Sequence, residues 1–339
     1  MKEMALADPS GVLVVAEVSD NGNPAGVTAE LMTLAVDLSS EGSRDISAVV
    51  IGDKVEEAAK YLGSLGADKV FAVEDASLAR YRPEAFVAAV VAAAGATNPS
   101  VVLLSHSPLG QDLAPRLALA LDGGLVSDCT GIEVGGDVQL LCTRPVYGGN
   151  VIAAVVSNRV PLIAAIRQHA FDAAAPGDAR AEVVKLPVEL PDTARYTTGE
   201  QVLEESEDIA LEDASVVITG GRGMGGKEGF EELARLAHLL GGAVGASRPP
   251  VDSGWINTTA QVGITGKIVA PEAYIAVGLS GSSQHLSGMS DSRKIIVINN
   301  DPDAYIFKVS DYGVVGDWRK VLPAFTDAVE RLTKEGGAP

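Results

Sequence analysis

The chain has 339 residues, of which 47% are hydrophobic, so it is long enough for about two domains with buried cores. Only 4% of the residues are aromatic and 37 are glycine, a mixture that excludes a disordered chain, a collagen and a small disulfide scaffold. The formal net charge of -19 excludes nucleic acid as a partner, because such a surface repels phosphate backbones, while a local pocket can still hold one anionic cofactor.

The first half of the chain alternates predicted strands with predicted helices. Strands separated by helices of about 10–15 residues are typical of βαβ units and a parallel sheet. From 124 to about 190 the pattern becomes more β-like. The predicted strands are 11–17, 46–51, 69–73, 101–105, 138–142, 151–156 and 162–166, and the predicted helices are one around 31–38 and those at 55–64, 83–95 and 112–121.

The first half contains no predicted catalytic constellation. His106 follows a predicted strand, at the edge where α/β sheets hold ligands. A loop histidine with a structural hydrogen bond is nevertheless favoured over a ligand-binding one. Arg116 lies on a predicted helix and is interpreted as a surface or interface charge.

An acidic stretch separates the two halves. Residues 191–214 contain few apolar side chains, so we predict a solvated linker between a domain at 1–190 and a domain at 215–335. A docking surface for a basic partner is the less favoured alternative. The acidic residues that define this stretch are Glu200, Glu204, Glu205, Glu207, Asp208, Glu212 and Asp213.

The second half begins with a strand, 215–219, that runs into a glycine-rich turn and a helix. Gly221, Gly223 and Gly226 fit the G-x-G-x-x-G pattern in the strand–turn–helix context that a pyrophosphate site requires. Taken alone, the motif does not decide between a ligand site and a glycine-rich turn without a ligand. No acidic residue follows about 20 positions later to bind a ribose, which argues against an ordinary NAD dehydrogenase. Arg222 instead offers a cation to a phosphate or a ring.

Further polar strand ends follow in the same half. Residues 246–255 are too rich in Pro and Gly for a helix, 261–267 form a second glycine-punctuated loop, and strands at 273–278 and 294–299 end in polar loops. Residues 311–317 precede the last helix, in which Pro323 is predicted at the first helical position. Because parallel strands end at one edge of a sheet, these loops favour a long, extended cofactor. No catalytic pair and no metal set accompanies His285.

Cysteine usage and hydropathy indicate the compartment. Cys129 and Cys142 are too few for a disulfide framework or a zinc site, so we predict buried thiols in a reducing compartment. No apolar run approaches the roughly 18 residues of a membrane span, and the N-terminus lacks a secretory signal. We therefore expect a cytoplasmic protein that is not embedded in a membrane.

The ordered motifs of this chain resemble the alpha subunits of electron-transfer flavoproteins. The resemblance is densest between 220 and 318 and covers nearly the whole chain. Its motifs are Gly-Arg-Gly at 221–223, Ala-Ser-Arg at 246–248, Val-Asp-Ser-Gly-Trp at 251–255, Gln-Val-Gly-x-Thr-Gly-Lys at 261–267, Tyr-Ile-Ala-Val-Gly-Leu-Ser-Gly-x-x-Gln-His at 274–285, Asn-x-Asp-Pro at 299–302, Ser-Asp-Tyr-Gly-Val-Val-Gly-Asp at 310–317, Glu-Leu-Met-Thr-Leu-Ala at 30–35, Asp-Leu-Ala-Pro-Arg-Leu-Ala at 112–118 and Leu-Val-Ser-Asp-Cys-Thr at 125–130.

The resemblance implies an α/β fold of two domains. The N-terminal domain would be a parallel-sheet, nucleotide-α-hydrolase-like domain that docks a beta subunit, and the C-terminal domain a doubly wound FAD-binding domain. It implies an electron carrier, not an enzyme, between acyl-CoA or other flavin dehydrogenases and a membrane quinone oxidoreductase or another redox partner. Three alternatives stay open: a subunit of a flavin-bifurcating, NADH-oxidising complex, an NAD(P)- or thiamine-enzyme-type cofactor domain, and a non-redox nucleotide-binding module.

The resemblance also implies the residues that bind FAD. Arg222, Ser247, Ser280 and Gln284 would hold the pyrophosphate, while Arg248, Thr265 and His285 would lie near the isoalloxazine, with the Thr265 hydroxyl near N5. Asn299 and Asp317 would face the ribityl and adenosine end. The full set is Arg222, Gly223, Ser247, Arg248, Gln261, Val262, Gly263, Ile264, Thr265, Gly266, Ser280, Gly281, Ser282, Ser283, Gln284, His285, Asn299, Asp317 and Trp318.

The chain departs from the family's pattern in two motifs, and His285 carries a separate prediction. Ile264 stands where the family often has Gln, and Ser282 and Ser283 stand within its Gly-Ala-x-Gln-His motif. Loss of an amide beside the flavin would alter its potential or its binding. We expect His285 to act electrostatically, neutral beside an oxidised flavin and protonated when the flavin is reduced.

Overall fold

The computed structural model describes residues 10–18, 24–42, 45–135, 140–147, 149, 151–178, 180–191 and 209–336. The chain divides into two compact units. One unit contains Met1–Val146 and Ile152–Glu200, and the other contains Tyr147–Val151 and Gln201–Pro339. In each unit, one buried apolar cluster lies on either side of a parallel sheet.

The first unit contains ten strands and four α-helices among its described residues. The strands are β1 (Val12–Ala16), β2 (Ile46–Gly52), β3 (Lys69–Glu74), β4 (Val101–Ser105), β5 (Gly124–Cys129), β6 (Gly131–Val134), β7 (Leu140–Val146), β8 (Val151–Val156), β9 (Leu162–Ile166) and β10 (Glu182–Lys185). The helices are α1 (Gly26–Gly42), α2 (Glu56–Ser64), α3 (Pro83–Thr97) and α4 (Pro108–Ala120).

Seven of these strands form a parallel sheet in the order β10-β3-β2-β1-β4-β9-β5. Its central strands are buried on both faces, which is why they read as continuous apolar runs. In β1, Val12 and Val14 point into one core cluster while Leu13 and Val15 point into the other. Strands β6, β7 and β8 form a separate three-stranded sheet in which β6 and β7 are antiparallel.

Several predicted elements of this unit begin or end at other residues, and α4 and β7 are two examples. Helix α4 starts at Pro108, one turn before the predicted 112, because Ser107 is its N-cap and accepts a hydrogen bond from the Gly110 amide at 3.1 Å. Proline suits the first helical position, where no amide hydrogen is needed. Strand β7 runs to Val146, beyond the predicted 138–142, and residues 136–139 lie outside the described residues.

The second unit contains five strands and four α-helices among its described residues. The strands are β11 (Val216–Gly220), β12 (Ala243–Ala246), β13 (Ala273–Val277), β14 (Ile295–Asn299) and β15 (Tyr312–Val315), and the helices are α5 (Lys227–Leu240), α6 (Arg248–Asp252), α7 (Ser283–Leu286) and α8 (Trp318–Gly336). All neighbouring strands pair in parallel, in the order β12-β11-β13-β14-β15. Helices α5 and α8 cover one face, and α7 with several loops covers the other.

Three expectations for this unit were wrong or incomplete. Residues 248–252 form a short helix, because Pro249 and Pro250 occupy first-turn positions that need no amide hydrogen. Strand β15 was not predicted. Helix α8 begins at Trp318, so Pro323 lies inside it and not at its first position.

The predicted acidic linker falls largely outside the described residues, which resume at 209. At its C-terminal end, Leu211 and Ala214 are buried in the core of the second unit. The core of that unit therefore includes side chains that the sequence placed in the linker.

A buried carboxylate in the first unit yields a stability prediction. Glu30 on α1 accepts a hydrogen bond from the His169 backbone amide at 2.7 Å, and its other oxygen lies 3.6 Å from the His169 Nδ1. Burial raises the pKa of Glu30 from an ordinary 4.5 to about 7. The native state therefore binds a proton that the unfolded state has lost between these values, so stability falls as pH rises from about 4.5 to 7.

We therefore expect Glu30→Gln to stabilise the first unit at pH 8 by up to about 3 kcal/mol and to remove this pH dependence. The amide keeps an oxygen that can accept from the His169 backbone. Chemical denaturation at pH 5 and pH 8 measures the effect, and the exposed Glu189→Gln serves as the matched control. An equal stability change in both variants would contradict the assignment to Glu30.

Candidate functional site

The site begins where the strand order of the second sheet reverses, between β11 and β13. In open α/β sheets, ligands bind outside the carboxyl ends of the strands at such a reversal. The loops that follow the two strands are bonded to each other there. The Gly221 amide donates to the Val277 carbonyl at 2.9 Å, and the Gly223 amide donates to the Gly278 carbonyl at 3.0 Å.

Two of the three motif glycines are required by this close approach. A Cβ on Gly221 would lie 2.2 Å from the Gly278 carbonyl oxygen, and a Cβ on Gly223 would lie 2.8 Å from the same atom. A Cβ on Gly226 would meet nothing nearer than a Glu228 carboxylate oxygen at 3.4 Å. The first two glycines therefore let the two loops meet, and the third has room for a side chain.

A cavity of about 310 Å³ opens at this reversal. It gathers residues from the ends of β11, β12, β13 and β14, as the successive polar strand ends predict. Of the predicted residues, it is lined by Arg222, Gly223, Ser247, Ser280, Gly281, Ser282, His285 and Asn299. The other lining residues were not among the predicted site residues; they are Pro249, Gly278, Leu279, Asp301 and Ala304.

The donors at this cavity suit a phosphate group. Within the described part of the chain, the backbone amides of Ser280, Gly281 and Ser282 make no hydrogen bond. Gly281 has a φ of +80°, a conformation that turns the chain sharply and that glycine adopts without strain. Successive free amides in such a turn form an anion-binding concavity, and the exposed Arg222 side chain adds a positive charge. The donor set therefore fits a cofactor with a pyrophosphate.

The loop 261–267 lies against α7, beside the cavity. The Ile264 amide donates to the Gln284 carbonyl at 2.8 Å, and the Gln261 side-chain amide donates to the Thr265 hydroxyl at 2.9 Å. A Cβ on Gly263 would lie 2.7 Å from the Gln284 carbonyl, so this glycine also permits a close approach. The Ile264 side chain is 62% exposed, which leaves an apolar surface where the resemblance expects an amide.

His285 joins this loop to the cavity through a buried network. Its Nδ1 lies 3.0 Å from the Val262 carbonyl oxygen, and its Nε2 lies 2.9 Å from the Tyr274 hydroxyl. The carbonyl only accepts, so Nδ1 carries the proton and Nε2 accepts from Tyr274. Burial lowers the pKa of His285 to about 4. This network argues against the expected proton uptake by His285, because both ring nitrogens are already satisfied in the neutral form.

Arg248 forms an ion pair within its own helix. It is the first residue of α6, and its Nε lies 3.2 Å from an oxygen of Asp252, the last residue of that helix. Both side chains are exposed, and neither lines the cavity. Ser247, by contrast, is buried, and its amide donates to the Gly220 carbonyl at 3.1 Å.

Three predicted residues hold the loops in place. Asn299 donates to the Leu279 carbonyl at 2.6 Å and accepts from the Asp301 amide at 3.0 Å, so it joins the ends of β13 and β14. Asp317 accepts from the Arg319 amide at 3.0 Å, at the start of α8. The Trp318 indole donates to the Gly223 carbonyl at 3.1 Å. Asp317 and Trp318 do not line the cavity.

The corresponding edge of the first sheet differs in the chemistry of its side chains. Its strand order reverses between β1 and β4, where Ser107 donates to a Glu17 carboxylate oxygen at 2.6 Å. Burial raises the pKa of Glu17. Ser107 is the N-cap of α4, so an acidic side chain lies beside the helix N-terminus that would otherwise attract an anion, and this edge is less suited to an anionic ligand.

The other residues singled out in the first half have structural surroundings. The His106 backbone amide donates to the Ile166 carbonyl at 2.6 Å, but its buried Nδ1 has no hydrogen-bond partner among the described residues, so the expected ring hydrogen bond is not made there. Arg116 pairs with Asp112 at 2.9 Å. Cys129 and Cys142 are free and buried, as predicted. No described helix is long and apolar enough to cross a membrane.

Comparisons with known proteins match both halves of the chain to one family. Residues 12–191 match the family model for the electron transfer flavoprotein domain, and residues 210–290 match the electron transfer flavoprotein FAD-binding domain. The chain is 40% identical over 315 residues to the electron transfer flavoprotein subunit alpha of Thermoanaerobacterium thermosaccharolyticum, with 92% of this chain and 96% of the relative covered. The corresponding proteins of Megasphaera elsdenii and Pseudomonas aeruginosa are also 40% identical, with 97% and 94% of this chain and 98% and 99% of the relatives covered.

The likeness to one solved structure is too low to carry a functional argument. The X-ray structure of a protein described as a thiamin diphosphate-dependent enzyme, from Mycobacterium smegmatis, matches with a TM-score of 0.23 and 11% identity. The match covers 94% of this chain and 59% of that one. Such a score carries no weight for the alternative of a thiamine-enzyme-type domain.

Proposed function

The chain belongs to the electron-transfer flavoprotein family, and we propose that it works as an alpha subunit whose FAD lies in the cavity at the carboxyl edge of the second sheet. One observation supports this location. The loops after β11 and β13 contact each other through glycines where the strand order reverses, and free backbone amides lie at the same place. FAD supplies the redox chemistry, since it accepts and releases electrons when bound.

The residues of this chain would hold and orient that group. Arg222 and the amides of Ser280, Gly281 and Ser282 would bind the pyrophosphate, because they combine a positive charge with aligned donors. The loop 261–267, with Thr265 and Gln261, and α6, with Arg248, would flank the ring system. Asn299, Asp317 and Trp318 would act by fixing the loops that line the cavity. No residue has a catalytic role in this proposal, which makes the protein an electron carrier and not an enzyme.

We further propose that the first unit docks a beta subunit. Its strand β8 exposes apolar side chains, with Ile152 60% and Val156 48% exposed, and such surface on a folded unit supports a protein partner. The electron donors would be acyl-CoA or other flavin dehydrogenases, and the acceptor a membrane quinone oxidoreductase. Free buried thiols support the cytoplasm as the compartment.

Co-purification with the product of the adjacent gene tests the assembly. We expect a one-to-one heterodimer with a flavin absorbance spectrum and a buried interface of about 1,600 Å² or more. Size-exclusion chromatography with light scattering measures the mass, and flavin and AMP analysis identifies the bound nucleotides. A stable, flavin-loaded monomer of this chain would contradict the proposed assembly.

A further inference from the structure

We propose that Tyr274 is a positioning residue that keeps His285 a neutral imidazole with its proton on Nδ1, so that the ring meets FAD without an N–H donor. This inference rests on the proposed function, because it concerns a wall of the same cavity. Tyr274 itself does not line that cavity. It acts through His285, which does.

Tyr274 sits in the centre of the second unit. It lies on β13, paired in register with Val217 on one side and Ile295 on the other, and its side chain is 0% exposed. A phenol hydroxyl in such a core must find a hydrogen-bond partner. The Nε2 of His285 lies 2.9 Å from it.

The contact of His285 Nδ1 determines which atom donates in the hydrogen bond between Nε2 and the Tyr274 hydroxyl. Nδ1 lies 3.0 Å from the Val262 carbonyl, which has no proton to give, so Nδ1 must donate. A neutral imidazole has one donor and one acceptor nitrogen, so Nε2 accepts and the Tyr274 hydroxyl donates. Both nitrogens are thus turned into the protein, and the ring atoms left for the cavity are carbons.

Protonation of His285 would break this arrangement. An imidazolium would place a second N–H against the Tyr274 oxygen, and the phenol would have to turn its own proton away from His285, toward the neighbouring hydroxyl of Thr219. Arg222 and Asp301 line the same cavity as His285, while three other charged side chains on the surrounding elements are paired. Lys267 pairs with Glu212, Arg248 with Asp252, and Lys294 with Asp311.

The network predicts how the flavin potential depends on pH. Since His285 stays neutral, it takes up no proton when the flavin is reduced at pH 5.5–8.5, a range of about one to two pH units on either side of an ordinary histidine pKa. His285→Gln should therefore leave the pH slope of the flavin midpoint potential unchanged. Tyr274→Phe removes the donor that stabilises the neutral ring, so it should raise the His285 titration midpoint by about 0.5–1 pH unit.

Nitrogen NMR of the histidine-labelled heterodimer tests the proposal. The chain has 4 histidines, and His285→Gln assigns the signals of His285. In the wild type, we expect a neutral Nδ1–H tautomer throughout pH 5.5–8.5, a range that brackets an ordinary histidine pKa. In Tyr274→Phe, we expect the two nitrogen signals to converge as the tautomers mix, and a titration extended below pH 5.5, toward the wild-type pKa of about 4, should show the upward shift of the midpoint. Tyr81→Phe is the control, because the Tyr81 hydroxyl donates to Asp112 in the other unit.

Three outcomes would overturn the proposal: an Nε2–H tautomer in the wild type, an ordinary titration of His285, or signals that Tyr274→Phe leaves unchanged. If Tyr274→Phe does not fold, the wild-type hydroxyl proton still gives an answer. It should be a slowly exchanging signal with a nuclear Overhauser contact to the His285 ring, and its absence would contradict the bond. Flavin absorbance of the same samples separates the two claims, because a flavin-free complex defeats the proposed function while the tautomer measurement still stands.

Discussion

Gly221→Ala is expected to lower the affinity for FAD by about 100-fold or more, equivalent to about 3 kcal/mol. The new Cβ would lie 2.2 Å from the Gly278 carbonyl oxygen and 2.7 Å from its carbonyl carbon, so it meets backbone and not a flexible side chain. The loops after β11 and β13 must then separate. Their separation disrupts the cavity and the adjoining amides that would hold the pyrophosphate.

Gly226→Ala is the matched control within the same motif. Gly226 has an extended backbone with a φ of 167°, and the nearest atom to its Cβ is 3.4 Å away on the Glu228 side chain. We expect this variant to bind FAD within about threefold of the wild type, an effect below about 1 kcal/mol. Fluorescence titration of the unloaded heterodimer with FAD measures both affinities. Equal losses in the two variants would contradict the loop geometry.

Arg248→Ala is expected to lower the midpoint potential of the flavin, which becomes harder to reduce. A cation near the isoalloxazine stabilises the negative charge that reduction adds. A unit charge pair at about 4 Å gains about 4 kcal/mol at an effective dielectric near 20, and solvent around an exposed side chain screens most of this. We therefore expect a drop of tens of millivolts, where about 59 mV is a tenfold change for one electron.

Asp252→Asn is expected to shift the potential in the opposite direction. Its carboxylate lies 3.2 Å from the Arg248 Nε, so its removal leaves the guanidinium with a larger net field. Arg248→Lys keeps the charge and should give a smaller drop than Arg248→Ala. Redox titration of the flavin-loaded variants measures all three potentials. Unchanged potentials in Arg248→Ala and Asp252→Asn would reject a role for this ion pair.

The sequence predicted the central strands of both sheets well, because burial on two faces leaves an unbroken apolar run. Residues Val101–Ser105 and Leu162–Ile166 match the predicted ranges. Two predictions failed at prolines, because a proline disrupts most helix interiors but is accepted in the first turn of a helix. Proline was taken to exclude a helix at 248–252, yet it occupies first-turn positions there, and Pro323 lies within a helix held by packing of α8 against α5 and β14.

Strand β15 was missed because its local sequence shows no burial pattern. Its four residues are all exposed, so no buried apolar face marks it, and its pairing with β14 fixes it instead. Long-range pairing of this kind leaves little trace in the local pattern.

In the candidate site, too, local motifs were predictable from the sequence and contacts between distant segments were not. The glycine loop after β11 was predicted from its motif, and the strand-end residues from the rule for parallel sheets. The sequence did not indicate that Gly221 and Gly223 approach Gly278, a residue more than 50 positions away. Nor did it show that His285 bonds to Tyr274, because a tautomer depends on contacts between distant segments.

Hydrogen exchange of the heterodimer with and without FAD tests most directly whether the cavity of the second unit holds the cofactor. Binding should slow the exchange of amides in the loops that follow β11 and β13, at 221–226 and 278–285, where the free amides of Ser280, Gly281 and Ser282 lie. The corresponding edge of the first sheet, at 105–107, should exchange at an unchanged rate. Protection at 105–107, with none at 278–285, would contradict the proposed site.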